Sequence, residues 1–410
     1  MINAKRIRIA CYSMNVSMAV VGNLPPLLFV TFHNRYGVSY SLLGLLVLIN
    51  FSTQLLIDLI FTFYSHKFNI EKTVKVTPLL TIFGLAIFTV WPTVMPELAY
   101  IGFVLGTVIF SASAGLAEVL LNPVIAALPS DDTERDISML HSTYAWGAVG
   151  VVIVGALSIL AVGAYAWQLI VLFMALVPLT SFFLYYGQSL PAISTGERAE
   201  GGASVFRNKQ LWICALAIFL GGAIECTMAQ WCSSFTEVAL GLPKIYGDIF
   251  GVAMFSVMLG VGRTLYTKYG KNIEKVTFIG VCASFVCYLT AVLSGNAVIG
   301  LIACAFTGIS ASMLWPGSII TVADRVPTGG VLMYALMAAG GDLGASLGPE
   351  LVGVITDAVS ASDRMISLAG ELDITPEQLG MKCGLFVGAI FAAIAVPVYL
   401  YILKTKNKTK

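Results

Sequence analysis

Five carboxylates lie inside long apolar stretches of this chain: Asp58, Glu118, Glu225, Asp342 and Glu350. Arg263 is the firm basic group at comparable depth, and His141 is a weaker second. Burying a carboxylate without a cation is costly, so such a group takes up a proton or faces water. A carboxyl whose access to water changes during a working cycle also changes its proton occupancy. Glu118, Glu225 and Asp342 are therefore read as proton-coupling groups. Asp58 and Arg263 stand nearer the ends of their stretches and are read as gating groups. For each, the competing role is a structural hydrogen bond to a neighbouring helix.

Polar and aromatic side chains accompany these acids. Asn122 follows Glu118 by one helical turn and shares its face. Gln230 and Trp231 follow Glu225, and Trp315 stands beside Pro316. His141 and Tyr144 share a face. A small polyol is bound by amide and carboxylate hydrogen bonds to its hydroxyls and by an aromatic plate against its C–H face. Asn122, His141, Tyr144, Gln230, Trp231 and Trp315 are the candidates for that role, with ordinary packing as the alternative. Trp91, Trp167 and Trp212 lie near stretch ends and read as interface-belt residues.

The elements that carry these groups are membrane spans. Charged residues make up 11% of the 410-residue chain and AVILMFWYC residues 58%, which excludes a soluble globular protein. Runs of about 20 apolar residues, the length that crosses about 30 Å of hydrocarbon, recur throughout. We read twelve spans, at 8–32, 40–64, 75–95, 98–127, 138–163, 165–187, 210–239, 245–266, 275–294, 296–322, 329–356 and 381–403. The first is too long for a signal-peptide core and reads as retained. The eight cysteines lie in or beside these runs without metal-ligand or CxxC spacing, so they read as small buried hydrophobes. No cofactor, metal site or nucleic-acid partner is expected, and no Gly-x-x-x-x-Gly-Lys-Ser/Thr loop supports ATP-driven pumping.

Of the 23 Lys and Arg residues, only Arg35, Lys244, Arg364 and Lys382 fall on the side away from the N-terminus. The positive-inside rule then makes both termini cytoplasmic in a plasma-membrane protein. The polar stretch 188–209 reads as a cytoplasmic linker between two six-helix bundles, 1–187 and 210–410. The halves resemble each other. Asn69-Ile70-Glu71-Lys72 follows span 2, and Asn272-Ile273-Glu274-Lys275 follows span 8. Leu121-Asn122-Pro123 in span 4 answers Leu314-Trp315-Pro316 in span 10. Gly147, Gly150 and Gly155 in span 5 answer Gly341, Gly344 and Gly348 in span 11. Three matches in the same order argue for duplication. Pro25-Pro26, Pro123 and Pro316 should bend their helices. A short helix is expected at Ile366–Glu371, with a capping signal at Thr375-Pro376-Glu377.

On these features the chain resembles the major facilitator superfamily. Its signature loop, Gly-x-x-x-Asp-Arg-x-Gly-Arg-Arg, is degenerate at Tyr64–Asn69 and closer at Tyr266–Lys271; both copies lack the aspartate. Asn50-Phe51 with Gln54 and Asp58, Glu118 with Asn122-Pro123, His141 with Tyr144, Glu225 with Trp231, and Gly340-Gly341-Asp342-Leu343-Gly344 resemble the fucose permease-like branch of sugar:proton symporters. The resemblance implies an all-α integral membrane fold of twelve transmembrane helices in two pseudo-symmetric six-helix bundles. It implies spans 1, 4, 7 and 10 around a central site, and alternating access by a monomer whose partners are a small solute, protons and lipid. It places the protonatable glutamate of span 4 at Glu118. Span 1 here carries Asn15 and Asn23 where that branch has an aspartate. A proton-driven efflux antiporter is the alternative function, since Ser346-Leu347-Gly348-Pro349 is similar to the antiporter signature, though in span 11 rather than span 5. A non-transporting sensor is a third.

Overall fold

The computed structural model describes residues 3–64, 67–129, 133–191, 207–326 and 330–405, so most of the expected linker lies outside the described residues. Among the described residues all regular structure is helical. Span 1 is two helices, α1 (Ala4–Leu27) and α2 (Phe29–Tyr36), which meet at 48°. The cause is local: Pro25 and Pro26 have no N–H to continue the ladder. The Leu28 amide turns back to the Pro25 carbonyl at 2.9 Å instead.

The remaining spans of the first half are α3 (Tyr40–Tyr64), α4 (Ile70–Val94), α5 (Ala99–Ala126), α6 (Thr133–Val162), and α7 (Trp167–Met174) with α8 (Leu176–Tyr185). The second half opens with α9 (Lys209–Val238). A π-helical stretch, Gly247–Ala253, then leads into α10 (Met254–Tyr269). α11 (Ile273–Leu293), α12 (Ala297–Ala311), α13 (Leu314–Arg325), α14 (Gly330–Ser360), the short α15 (Asp363–Glu371) and α16 (Pro376–Thr405) complete it. Span 10 is thus broken before Pro316, whereas α5 runs on through Pro123. Thr375 caps α16 as expected, but its reciprocal partner is Gln378, at 3.0 and 3.1 Å, rather than Glu377.

Among the described residues ten segments are long and apolar enough to cross a bilayer, or eleven with α1 and α2 as one bent span. The span expected at 329–356 falls in α14, whose 31 residues are ample length at about 1.5 Å per residue.

The internal repeat reappears as matched contacts. The Asn69 side chain accepts from the Lys72 amide to start α4, and Asn272 accepts from the Lys275 amide to start α11. Thr81 and Ser113 join their hydroxyls at 2.7 Å between α4 and α5, as Ser284 and Ser310 do at 2.8 Å between α11 and α12. Gly147 and Gly155 of α6 pack on α1, while Gly344 and Gly348 of α14 pack on α9.

The chain divides into two compact units, Met1–Gly37 with Ile49–Arg198 and Val38–Leu48 with Ala199–Lys410. α3 therefore begins in the second unit and continues in the first. The first unit holds an aromatic core in which Phe32 stacks on Phe103 at 4.3 Å and meets Trp167 edge-on at 5.0 Å. Trp167 is fully buried there, so the interface-belt expectation is corrected for it. Trp212 is exposed. The second unit buries Leu211, Cys214, Ile218, Val322, Met333 and Met337 together.

Candidate functional site

In the first unit the polar groups gather where α3 meets α5. Asn50 is buried, and its Oδ1 accepts from the Ser111 hydroxyl at 2.5 Å and from the Gln54 amide at 3.0 Å. Two turns further on, Asp58 lies within electrostatic reach of Glu118. Two acids assigned different tasks from the sequence are thus brought together. Asn122 stands one turn beyond Glu118, and its buried Oδ1 has no hydrogen-bond partner among the described residues. On α1, the Asn15 amide donates to the Leu140 carbonyl of α6 at 2.5 Å, so it ties two helices.

Glu118 does not face the way the outward stripe of α5 faces. Ile101, Leu105 and Val108 form that exposed apolar stripe. At about 100° per residue, Glu118 projects roughly 80–140° around the helix from them. It is nevertheless exposed, between buried Leu116, Ala117, Leu120 and Leu121. Tyr144 is also exposed. The side chain of His141 lies outside the described residues.

In the second unit the expectation of unpaired acids is corrected. Arg263 donates from Nη2 to both carboxylate oxygens of Glu225, at 3.1 and 3.2 Å, and from Nε to the Ser312 carbonyl at 3.1 Å. A long side chain near the end of α10 spans depth that residue counting along the helix does not register. Arg263 is 41% exposed at its side chain and Glu225 15%. Asp342 is buried, and Cys226 lies within electrostatic reach of Glu225, Asp342 and Arg263 alike.

Trp315 lies against the same group of helices. A Cβ on Gly341 would stand 2.5 Å from Trp315 Cη2, and one on Gly222 3.0 Å from Cζ3. The two glycines form a slot for the indole, whose remaining surface leaves it half-buried. Trp231 is different. It is fully buried, and its indole N–H donates to the Pro349 carbonyl at 2.8 Å. Its assignment as a binding plate is corrected to a packing role. Gln230 is buried as well.

The π-helical stretch carries a group that sequence reasoning passed over. Asp248 is fully buried, bonded to the Ser233 hydroxyl and to Lys244 Nζ at 3.4 Å. Lys244 also lies 3.8 Å from Glu237. The i, i+4 spacing of Lys244 and Asp248 at the start of span 8 was the available signal.

Similar proteins agree with this architecture. An uncharacterised MFS-type transporter, YttB of Bacillus subtilis (strain 168), is 23% identical over 380 residues, covering 89% of this chain and 91% of that protein. The inward-facing, occupied crystal structure of a bacterial homologue of the human lysosomal transporter Spinster superposes with a TM-score of 0.78 at 13% identity, over 98% of this chain and 97% of that one. The Escherichia coli fucose:proton symporter FucP superposes with a TM-score of 0.58 at 15% identity, over 95% and 98%. The likeness to both structures is one of fold. The model of the Major Facilitator Superfamily matches residues 10–349. With its helical membrane-spanning architecture, its two compact units and its repeated contacts, this chain belongs to that superfamily and is a transporter rather than an enzyme.

Proposed function

We propose that this transporter is a proton-coupled symporter that imports a monosaccharide or related polyol by alternating access, working as a monomer in the plasma membrane with both termini cytoplasmic. The observation that carries the reading is the surplus of acids over cations within the apolar stretches: Glu225 bonded to Arg263, Asp342 near Cys226, and Asp58 beside Glu118. Like charges in a poorly solvated setting repel, and a bound proton relieves the repulsion. Glu118 supplies a carboxyl beside Asp58, and Glu225 supplies one whose hold on Arg263 changes with its charge. Asn122 and Trp315 offer an amide and an aromatic plate at corresponding positions of the repeat. The likeness of several stretches to sugar:proton symporters supports the choice of solute, as does the overlap in fold with the fucose:proton symporter.

The test is uptake into proteoliposomes of known orientation under an imposed pH gradient, with a panel of labelled sugars, nucleosides and organic acids. Accumulation of a sugar in the direction of proton flow is expected. Accumulation against proton flow would replace symport with antiport, and uptake of another solute class alone would overturn the sugar assignment.

A further inference from the structure

Arg263 has a second attachment, and the break in span 10 supplies it. In an unbroken helix the Ser312 carbonyl would accept from the N–H of residue 316, but Pro316 has none. α12 ends at Ala311 and α13 begins at Leu314. Around the break, the Ser310 and Ser312 hydroxyls bond back to the Thr307 and Ile309 carbonyls, at 3.0 and 2.7 Å. Such local bonds compete with the helical ladder. The repeat-equivalent positions in α5, ahead of Pro123, are Ala117 and Val119, which carry no hydroxyl, and there the helix runs on. The Ser312 carbonyl accepts from Arg263 Nε at 3.1 Å. Glycines let α10 come this close: a Cβ on Gly262 would stand 2.3 Å from Ser312 Oγ, and one on Gly308 would stand 2.1 Å from the Phe255 carbonyl oxygen. All of these residues belong to the second unit.

A guanidinium is flat, and its N–H groups point in fixed directions. With Nε on a backbone carbonyl and Nη2 on both oxygens of Glu225, its plane and its rotation are set together. We propose that Pro316 is a positioning residue for Arg263: by leaving the Ser312 carbonyl without a helical donor, it anchors the guanidinium beside Glu225 in both charge states of that acid. The carbonyl has no charge to lose. Its bond to Nε therefore persists when Glu225 takes up a proton, and the cation stays at hand to favour the proton's release. The inference rests on the reading of Glu225 as a proton-coupling group. The other titratable groups of this region are Cys226, within reach of Asp342 on α14, and Tyr288 on α11, whose hydroxyl donates to the Ile224 carbonyl at 2.6 Å. Tyr399 on α16 donates to the Ala217 carbonyl at 2.9 Å, and Arg325 on α13 is engaged by Gln210 and Thr405.

Nuclear magnetic resonance of the full-length protein, labelled with 15N at arginine Nε, reads the anchor directly. The Arg263 signal is identified by its loss in Arg263→Lys. Pro316→Ala supplies an N–H that competes for the Ser312 carbonyl, and it should speed solvent exchange of the Arg263 Nε–H about three- to ten-fold. Unchanged exchange overturns the proposal. Should that variant fail to fold, Glu225→Gln decides: the Nε–H should stay as slow as in the parent, because its acceptor is the carbonyl. Exchange as fast as that of the exposed Arg364 in Glu225→Gln overturns the anchor. In proteoliposomes, Pro316→Ala should lower accumulation driven by a pH gradient more than it lowers counterflow, and an equal loss of both overturns the positioning role. The resonance measurement uses no solute and no gradient, so an error in the transport assignment would appear in the parent's flux and not here.

Discussion

Arg263 and Glu225 form a two-point contact: one guanidinium nitrogen on α10 bonds both carboxylate oxygens at mid-length of α9. The contact makes the protonation of Glu225 and the freedom of Arg263 a single event. A neutral Glu225 holds the guanidinium less firmly, and a displaced guanidinium leaves a carboxylate that needs a proton.

Removing one partner should therefore differ from removing both. Arg263→Gln leaves Glu225 without its cation and should lower stability by about 1–3 kcal/mol, the lower part of the range for broken pairs because Arg263 is partly exposed. The double variant Glu225→Gln with Arg263→Gln should recover much of that loss and still fail to couple uptake to a pH gradient. Thermal unfolding in detergent and proteoliposome flux check the two halves. Full coupling in the double variant would remove the pair from the mechanism.

Glu118→Gln should abolish accumulation driven by a pH gradient while preserving solute exchange at equal concentrations, since exchange needs no net proton release. Counterflow compared with gradient-driven uptake in the same vesicles checks this. Normal acidification-driven accumulation would show that Glu118 carries no coupled proton.

The two tryptophans should separate by phenotype. Trp315→Leu removes a half-exposed plate and should weaken solute binding about two- to ten-fold with little change in stability, on the usual worth of an aromatic contact of about 0.5–1.5 kcal/mol. Trp231→Phe removes the indole donor to the Pro349 carbonyl and should lower stability by about 0.5–1.5 kcal/mol without changing affinity. Affinity titrations and melting curves on both variants distinguish these outcomes.

The glycines on either side of the repeat should differ sharply. A Cβ on Gly344 would stand 1.9 Å from the Phe219 carbonyl oxygen, while a Cβ on Gly150 meets nothing within 4 Å. Gly344→Ala should cost about 1–3 kcal/mol or block folding, and Gly150→Ala should stay within about 0.5 kcal/mol of the parent. Yield and thermal unfolding of the two variants check it.

What could be read from the chain alone followed from one-dimensional periodicity. Apolar length gives the spans, and Asn69 and Asn272 announce two equivalent helix starts because capping is a matter of neighbours three residues apart. Residue counting gives depth but no azimuth. It set Trp231 and Trp315 on the same footing, although one is sealed against Pro349 and the other lies in a glycine slot. It left Glu225 without a partner because nothing local says which way Arg263 points. Asp357 accepts from the Tyr40 and Ser41 amides across more than 300 positions, and no local pattern encodes such a pairing. Asp248 escaped notice because it stands close to a span end, where a charged residue usually reads as loop.

The hydroxyl pairs Thr81–Ser113 and Ser284–Ser310 bear on biogenesis. Each joins consecutive helices only 32 and 26 residues apart in the chain. Each hairpin can therefore close as soon as its second helix has left the ribosome, before the later segments exist. Both halves of the molecule then carry an early assembly step of their own, and neither has to wait for the C-terminal helix to be made.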